Sequence, residues 1–135
     1  MSACAYVGSQ THIYNDTLRN NLTLWNDAMI DTHIKEALER VNLLSFLSRI
    51  DEQVSDGSFS EGQKQRIGLI RAFLKGSSVV IFDEATANLD HKNATRIEHL
   101  LLSDPNITYI TVTHHLIKEN EPYFDEIIRL GEGTE

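Results

Sequence analysis

Val79-Val80-Ile81-Phe82 is followed at once by Asp83-Glu84. No other run constrains the fold of this chain as tightly. Three β-branched residues and an aromatic in succession suit a strand buried on both faces, hence a parallel sheet. Ala3 to Val7, Ile107 to Val112 and Glu126 to Leu130 read as further strands. Asp31-Thr32 can cap a helix with Ile34, Leu38, Val41 and Leu44 on one face, Ala37 and Leu47 alongside. Ser60-Glu61-Gly62-Gln63 has capping-box spacing, and the helix it opens carries Ile67, Ile70, Phe73 and Leu74 before Gly76 ends it. Asp90 can cap another helix bearing Ala94, Ile97, Leu100 and Leu101, closed by Asp104-Pro105. Ile117 to Tyr123 is a short connection. Strand, helix, strand, helix, strand implies an α/β fold with right-handed crossovers and the helical middle inserted at its side.

A length of 135 residues argues for one domain, and 41% hydrophobic with 24% charged residues argues against extended disorder. The formal charge of -8 disfavours broad capture of nucleic acid or anionic lipid, although a small anion needs only local donors. Lone Cys4 cannot form an internal disulfide, which fits a reducing compartment. No apolar run approaches the ~20 residues of a membrane helix. His12, His33, His91 and His99 lack ligand spacing with cysteine, and adjacent His114 and His115 point opposite ways on an extended segment, so they make a poor shared metal site. Trp25 and Phe46 read as packing residues. The sequence opens almost directly on a strand and closes just after another. That fits a small complete protein or a piece of a longer one.

Ligands bind at the carboxyl ends of parallel strands, where Asp83 and Glu84 stand. An aspartate there can hold Mg2+, and the adjacent glutamate can orient and deprotonate water. A solvated strand end is the plain alternative. The Ser60-capped helix offers unpaired N–H groups that favour phosphate, with Gly62 admitting close backbone approach. Taken alone, an ordinary capped surface helix explains that segment equally well.

Together these runs carry a resemblance. Phe59-Ser60-Glu61-Gly62-Gln63 with Lys64-Gln65-Arg66 resembles the signature motif of ATP-binding-cassette (ABC) ATPases, usually Leu-Ser-Gly-Gly-Gln. Val79 to Thr86 is similar to the Walker B strand with its glutamate, Ala87-Asn88-Leu89-Asp90 to the D-loop, and Thr113-His114 to the switch-histidine loop. Ile13 to Leu22 is similar to the segment after the Q-loop in exporter-type cassettes, which contacts the coupling helices of the membrane domain. The resemblance implies a partial P-loop NTPase fold: a parallel sheet with an inserted helical subdomain. Residues 1–10 would form the Q-loop strand, 11–75 the helical subdomain and 76–135 the Walker B to switch-histidine part. It implies ATP and Mg2+ as cofactors, with Asp83 and Gln10 toward the metal, Glu84 toward the hydrolytic water and His114 toward the γ-phosphate. Ser60, Glu61, Gly62 and Gln63 would lie against nucleotide held by a second cassette, in a homo- or heterodimer, with Asp90 helping to join the two. The further implied partner is a transmembrane domain, with no nucleic acid, at the cytoplasmic face of a membrane. The function so implied is ATP-driven export.

Three departures qualify this. No Gly-x-x-x-x-Gly-Lys-[Ser/Thr] run occurs; Gly57-x-x-x-x-Gly62 has the glycine spacing, but Gln63 follows. The chain therefore reads as the C-terminal portion of a cassette, inactive alone and active as an ATPase only within a longer protein. The resemblance also implies that a strand belonging to the missing loop would normally lie beside the Walker B strand, so its loss implies open edges and hence dimerisation through strands, a strand exchange or a rearranged sheet. Glu61 stands where glycine is usual; its carboxylate either repels phosphate or points outward and caps the helix. At the Q-loop, the family's spacing falls on Ser9, whereas a loop one residue shorter brings in Gln10. A degenerate cassette that only docks on a membrane partner is the alternative function. A DNA-repair or translation ATPase is disfavoured by the acidic balance and the exporter-like segment.

Overall fold

A computed structural model describes residues 4–8, 10–84 and 89–131. Its centre is a three-stranded parallel sheet of β1 (Cys4–Val7), β4 (Val79–Asp83) and β5 (Thr108–Val112), in the order β1-β4-β5. Cys4 pairs with Val79 and Val79 with Thr108, so the three strands run in step. The chain between β1 and β4 holds a two-stranded antiparallel ladder, β2 (Asp16–Thr17) and β3 (Gln53–Val54), and three helices. These are α1 (Leu18–Thr23), α2 (Asp31–Arg40) and α3 (Glu61–Leu74). Helix α4 (His91–Ser103) joins β4 to β5, and a 3-10 turn, Lys118–Tyr123, lies against α4. The chain is thus a mixed α/β fold with a parallel sheet.

The capping residues expected from sequence do their work with one exception. Ser60 and Asp90 accept from the third backbone N–H of α3 and α4, and Thr17, not anticipated from sequence, does the same for α1. Gly76 takes a left-handed φ of 73° where α3 ends. The exception is α2, whose cap is Ile30 with no side-chain bond, and which stops at Arg40 rather than continuing through Leu47. Asn42 at φ 60° turns the chain, and Leu44–Arg49 forms a separate 3-10 segment that leaves Leu44 exposed.

Two further expectations are corrected. The apolar run of β4 is fully buried on one face only: Val80 and Phe82 are covered, while Val79 and Ile81 are half-exposed. The topology gives the reason. The chain steps from β1 to β4 to β5 in one direction across the sheet, and two right-handed crossovers in the same direction put α3 and α4 on the same side. Val7, Val80 and Phe82 share one core with Ile67 and Ile70 of α3 and Ile97 and Leu101 of α4. Tyr6, Ile110 and Val112 are left exposed on the other face. Second, Glu126 to Leu130 forms no strand, and Ile128 and Leu130 are exposed. The strand β4 has a partner on each side, so no gap opens beside it; among the described residues the free edges belong to β1 and β5.

Candidate functional site

Parallel pairing brings the ends of β4 and β5 together. Asp83 is the last residue of β4 opposite Val112, and the Glu84 N–H extends the ladder by donating to the Val112 carbonyl at 2.9 Å. Glu84 then takes a left-handed φ of 58°, a conformation that costs a non-glycine residue about 1–2 kcal/mol. That turn takes its side chain off the sheet's alternation. Its Oε1 lies 3.4 Å from Nε2 of His114, which follows β5 by two residues. His114 is 86% exposed and Glu84 32%, so both stay open to solvent and to a ligand. Thr113 shapes the His114 loop: its Oγ1 accepts the His115 N–H at 3.0 Å.

Asp83 has a partner that sequence reading missed. Tyr6 lies on β1 on the same face of the sheet, and its hydroxyl donates to Asp83 Oδ2. The contact raises the Tyr6 pKa above its usual value, because ionisation would remove the donor and bring two negative charges together. The two residues are 77 positions apart, and only strand register relates them.

At the signature-like turn, the Ser60 Oγ accepts the Gln63 N–H at 3.1 Å and the Gln63 Oε1 accepts the Ser60 N–H at 2.9 Å. Both bonds use acceptor atoms. The Ser60 O–H and the Gln63 NH2 therefore keep their donor hydrogens, the atoms an anion needs. Glu61 is drawn aside by Lys64, whose Nζ lies 3.2 Å from it and 2.9 Å from Asp56. Hydrogen bonding to Asp56 and then Glu61 holds the Lys64 pKa above its usual value. Glu61 is exposed and paired with Lys64, while Ser60 and not Glu61 caps the helix. Gly62 is buried.

Asp90 caps α4, accepting from the Asn93 N–H and the Asn93 amide, each at 2.8 Å. The backbone bond first and the amide second hold its carboxyl below the usual range. Gln10 is exposed and lines a cleft between β1 and α3. Among the described residues it shares no hydrogen bond or ion pair with Asp83 or Glu84, and none joins the Ser60 turn to Asp83, Glu84 or His114. Ser9 and Ala85 to Asn88, the latter spanning most of the D-loop-like segment, lie outside the described residues. A second feature missed from sequence is Gln65, 1% exposed, with neither amide atom hydrogen-bonded.

Among the described residues no group of three or more His, Cys, Asp or Glu is placed to hold a metal. Mg2+ does not require one, since it is usually bound by one or two carboxylates together with phosphates and water. The half-exposed oxygen donors of Asp83 and Glu84 fit that pattern. No helix among the described residues is long and apolar enough to cross a membrane.

Residues 2–87 match a family described as ABC transporter. A "Probable ABC transporter ATP-binding/permease protein" of Haemophilus influenzae is 35% identical over 136 residues, covering 96% of this chain and 24% of that protein. An "ATP-dependent lipid A-core flippase" of Haemophilus ducreyi is 28% identical over 138 residues, covering 96% of this chain and 23% of that protein. The chain spans about a quarter of the length of these curated relatives. Among solved structures, a bacterial Atm1-family ABC exporter with ATP bound superposes with a TM-score of 0.77 at 24% identity, covering 88% of this chain and 22% of the other; that likeness is one of fold.

Proposed function

Since the chain belongs to the ABC transporter family by its match over residues 2–87, we propose that it is the part of a nucleotide-binding cassette that carries the hydrolytic residues of an ATP-driven exporter. The observation that carries the reading is the meeting of Glu84 and His114 at 3.4 Å beside Asp83, at the carboxyl ends of β4 and β5. In this reading Asp83 would hold Mg2+, with Gln10 assigned toward the same ion, and the metal would supply neutralisation of phosphate charge. Glu84 orients the attacking water and accepts its proton. His114 donates one hydrogen bond to the γ-phosphate, which neutral imidazole can do. The Ser60 hydroxyl, the Gly62 backbone and the Gln63 amide donate to nucleotide bound on a second cassette, with Asp90 at the junction. Glu61, engaged by Lys64, stays clear of the phosphate.

In this reading residues 1–10, 11–75 and 76–135 are the Q-loop strand, the helical subdomain and the catalytic α/β part of one cassette. The helical part docks on a transmembrane domain at the cytoplasmic face. The chain alone does not turn over ATP, because the phosphate loop is missing from its sequence.

Glu84→Gln tests this in the longer protein that contains this sequence. Losing a positioned base lowers ATP turnover by about 10²–10⁴-fold, with the Glu84 backbone and the sheet unchanged. Unaltered turnover removes the catalytic assignment and leaves a docking module. Calorimetry on the 135-residue chain supplies the companion result: MgATP releases no measurable binding heat at micromolar concentration.

A further inference from the structure

Tyr6 is 65% exposed, yet its hydroxyl is not left to solvent. It donates to Oδ2 of Asp83, on the neighbouring strand. The other exposed tyrosines behave differently. Tyr14 at 39% and Tyr123 at 54% exposure give their hydroxyls no hydrogen-bond partner among the described residues. Exposure alone therefore does not bring a tyrosine hydroxyl to a carboxylate in this chain. Placement does.

Register supplies half of that placement. Tyr6 pairs with Ile81, so Asp83 stands two residues further along β4 on the same face. Diagonal neighbours of this kind lie about 7–8 Å apart, within reach of an aromatic side chain. Gly8 supplies the other half. A Cβ there would stand 3.0 Å from Cε1 of the Tyr6 ring, 3.7 Å from Cζ and 3.6 Å from the hydroxyl oxygen. Gly8 is not among the residues with a left-handed φ, so what it provides is room for the ring rather than backbone freedom.

A hydroxyl on a carboxylate makes the stronger, charge-assisted kind of hydrogen bond. It also makes the two carboxylate oxygens unequal. Oδ2 of Asp83 is engaged, while Oδ1 accepts no hydrogen bond among the described residues.

We propose that Tyr6, seated over Gly8, is a positioning residue for the Asp83 carboxylate, engaging Oδ2 so that Oδ1 alone is open to a divalent cation and the site prefers Mg2+ to Ca2+. This role rests on the reading of Asp83 as the carboxylate that would hold Mg2+, and adds what orients it and what it selects. A single open oxygen suits Mg2+, which demands near-ideal octahedral geometry; Ca2+ takes more ligands and accepts both oxygens of one carboxylate. Groups that hydrogen-bond to a metal-binding carboxylate are typically worth about 10–100-fold in metal affinity.

The test uses the longer protein that contains this sequence, with a non-hydrolysable ATP analogue. Bound Mn2+, which shares the octahedral oxygen preference of Mg2+, is read by electron paramagnetic resonance, with Ca2+ as competitor. Tyr6→Phe is expected to weaken Mn2+ binding by about tenfold or more. It is also expected to shift the preference toward Ca2+, because the freed carboxylate can chelate with both oxygens. Gly8→Ala crowds the ring and leaves the hydroxyl and Asp83 in place; both readings should move in the same direction by less. Neither change enters the core, so circular dichroism should match the parent.

Equal losses of Mn2+ and Ca2+ in Tyr6→Phe overturn the proposal, since they make Tyr6 a general support of the strand end. Unchanged Mn2+ binding in Tyr6→Phe, with binding weakened in Asp83→Asn, overturns it too and leaves the reading of Asp83 standing. Mn2+ binding that survives Asp83→Asn removes that reading, and the role of Tyr6 with it.

Discussion

Gln65 shows how far a single residue can depart from its local pattern. It lies in the polar run Gln63-Lys64-Gln65-Arg66, yet its side chain is buried with both amide atoms unpaired. A buried unsatisfied polar group costs about 1–3 kcal/mol, and replacing it by an apolar group of similar shape recovers part of that. Gln65→Met is therefore expected to stabilise the chain by about 1 kcal/mol, read as a higher urea midpoint at unchanged slope. A lower midpoint would mean that the amide has a hydrogen-bonding partner in solution, such as a buried water. Residue identity marked Asp83 and Glu84 as candidates, because a buried strand followed by two carboxylates limits what the chemistry can be, whereas His114 was marked only by the family resemblance. It could not reveal Gln65, nor the Tyr6 donor to Asp83, because burial and register are decided by packing and pairing of distant segments. The left-handed Glu84 was hidden for the same reason: nothing local calls for a glutamate at φ 58°.

At the scale of elements, the sequence was most informative where a polar side chain closes a helix end. Ser60, Asp90 and Gly76 mark boundaries that the structure keeps, since each solves a local hydrogen-bonding or backbone problem. It was least informative where an element needs a distant partner. Glu126 to Leu130 has the residues of a strand but forms no ladder, because propensity does not supply a neighbour to pair with. Among the caps, Asp90 yields a prediction with a definite sign. Its folded pKa lies below its ordinary value, through the Asn93 N–H first and the Asn93 amide second. A carboxyl with a depressed folded pKa stabilises the fold above its unfolded pKa, and the contribution is lost as pH falls through the folded value. Thermal melts followed by circular dichroism should show Asp90→Ala less stable than the parent at pH 7. The two should converge well below about pH 4, where the carboxyl is protonated in the parent. Asp90→Asn, whose amide oxygen still accepts from the Asn93 N–H, should fall between them at neutral pH. A gap of constant size across that range would remove the ionised cap as the cause.

The molecule as a whole is lopsided because both crossovers fall on one side of the sheet. One face is sealed by α3 and α4; the other presents Tyr6 at 65%, Ile110 at 47% and Val112 at 56% exposure, with Ile81 half-covered between them. Among the described residues the outer edges of β1 and β5 are unpaired in the sheet. An apolar face beside free strand edges recruits other chains, and β5 carries no lysine or proline to prevent it. The opposing term is charge, since two copies at -8 each repel one another. The repulsion is long-ranged and screened by salt: the Debye length falls from about 30 Å at 0.01 M to about 3 Å at 1 M. Apolar burial is not screened in this way. Light scattering on the purified chain should therefore give a mass that rises with protein concentration, and rises further as salt is added at fixed concentration. Ile110→Lys with Val112→Lys places charge on the open face without entering the core, because both side chains point away from Phe82 and Val80. That double variant should scatter as a monomer at every salt concentration while keeping the parent's circular dichroism. A parent that stays monomeric in high salt would show that the exposed face is too small or too curved to hold a second copy. Association that persists in the double variant would move the contact to another surface.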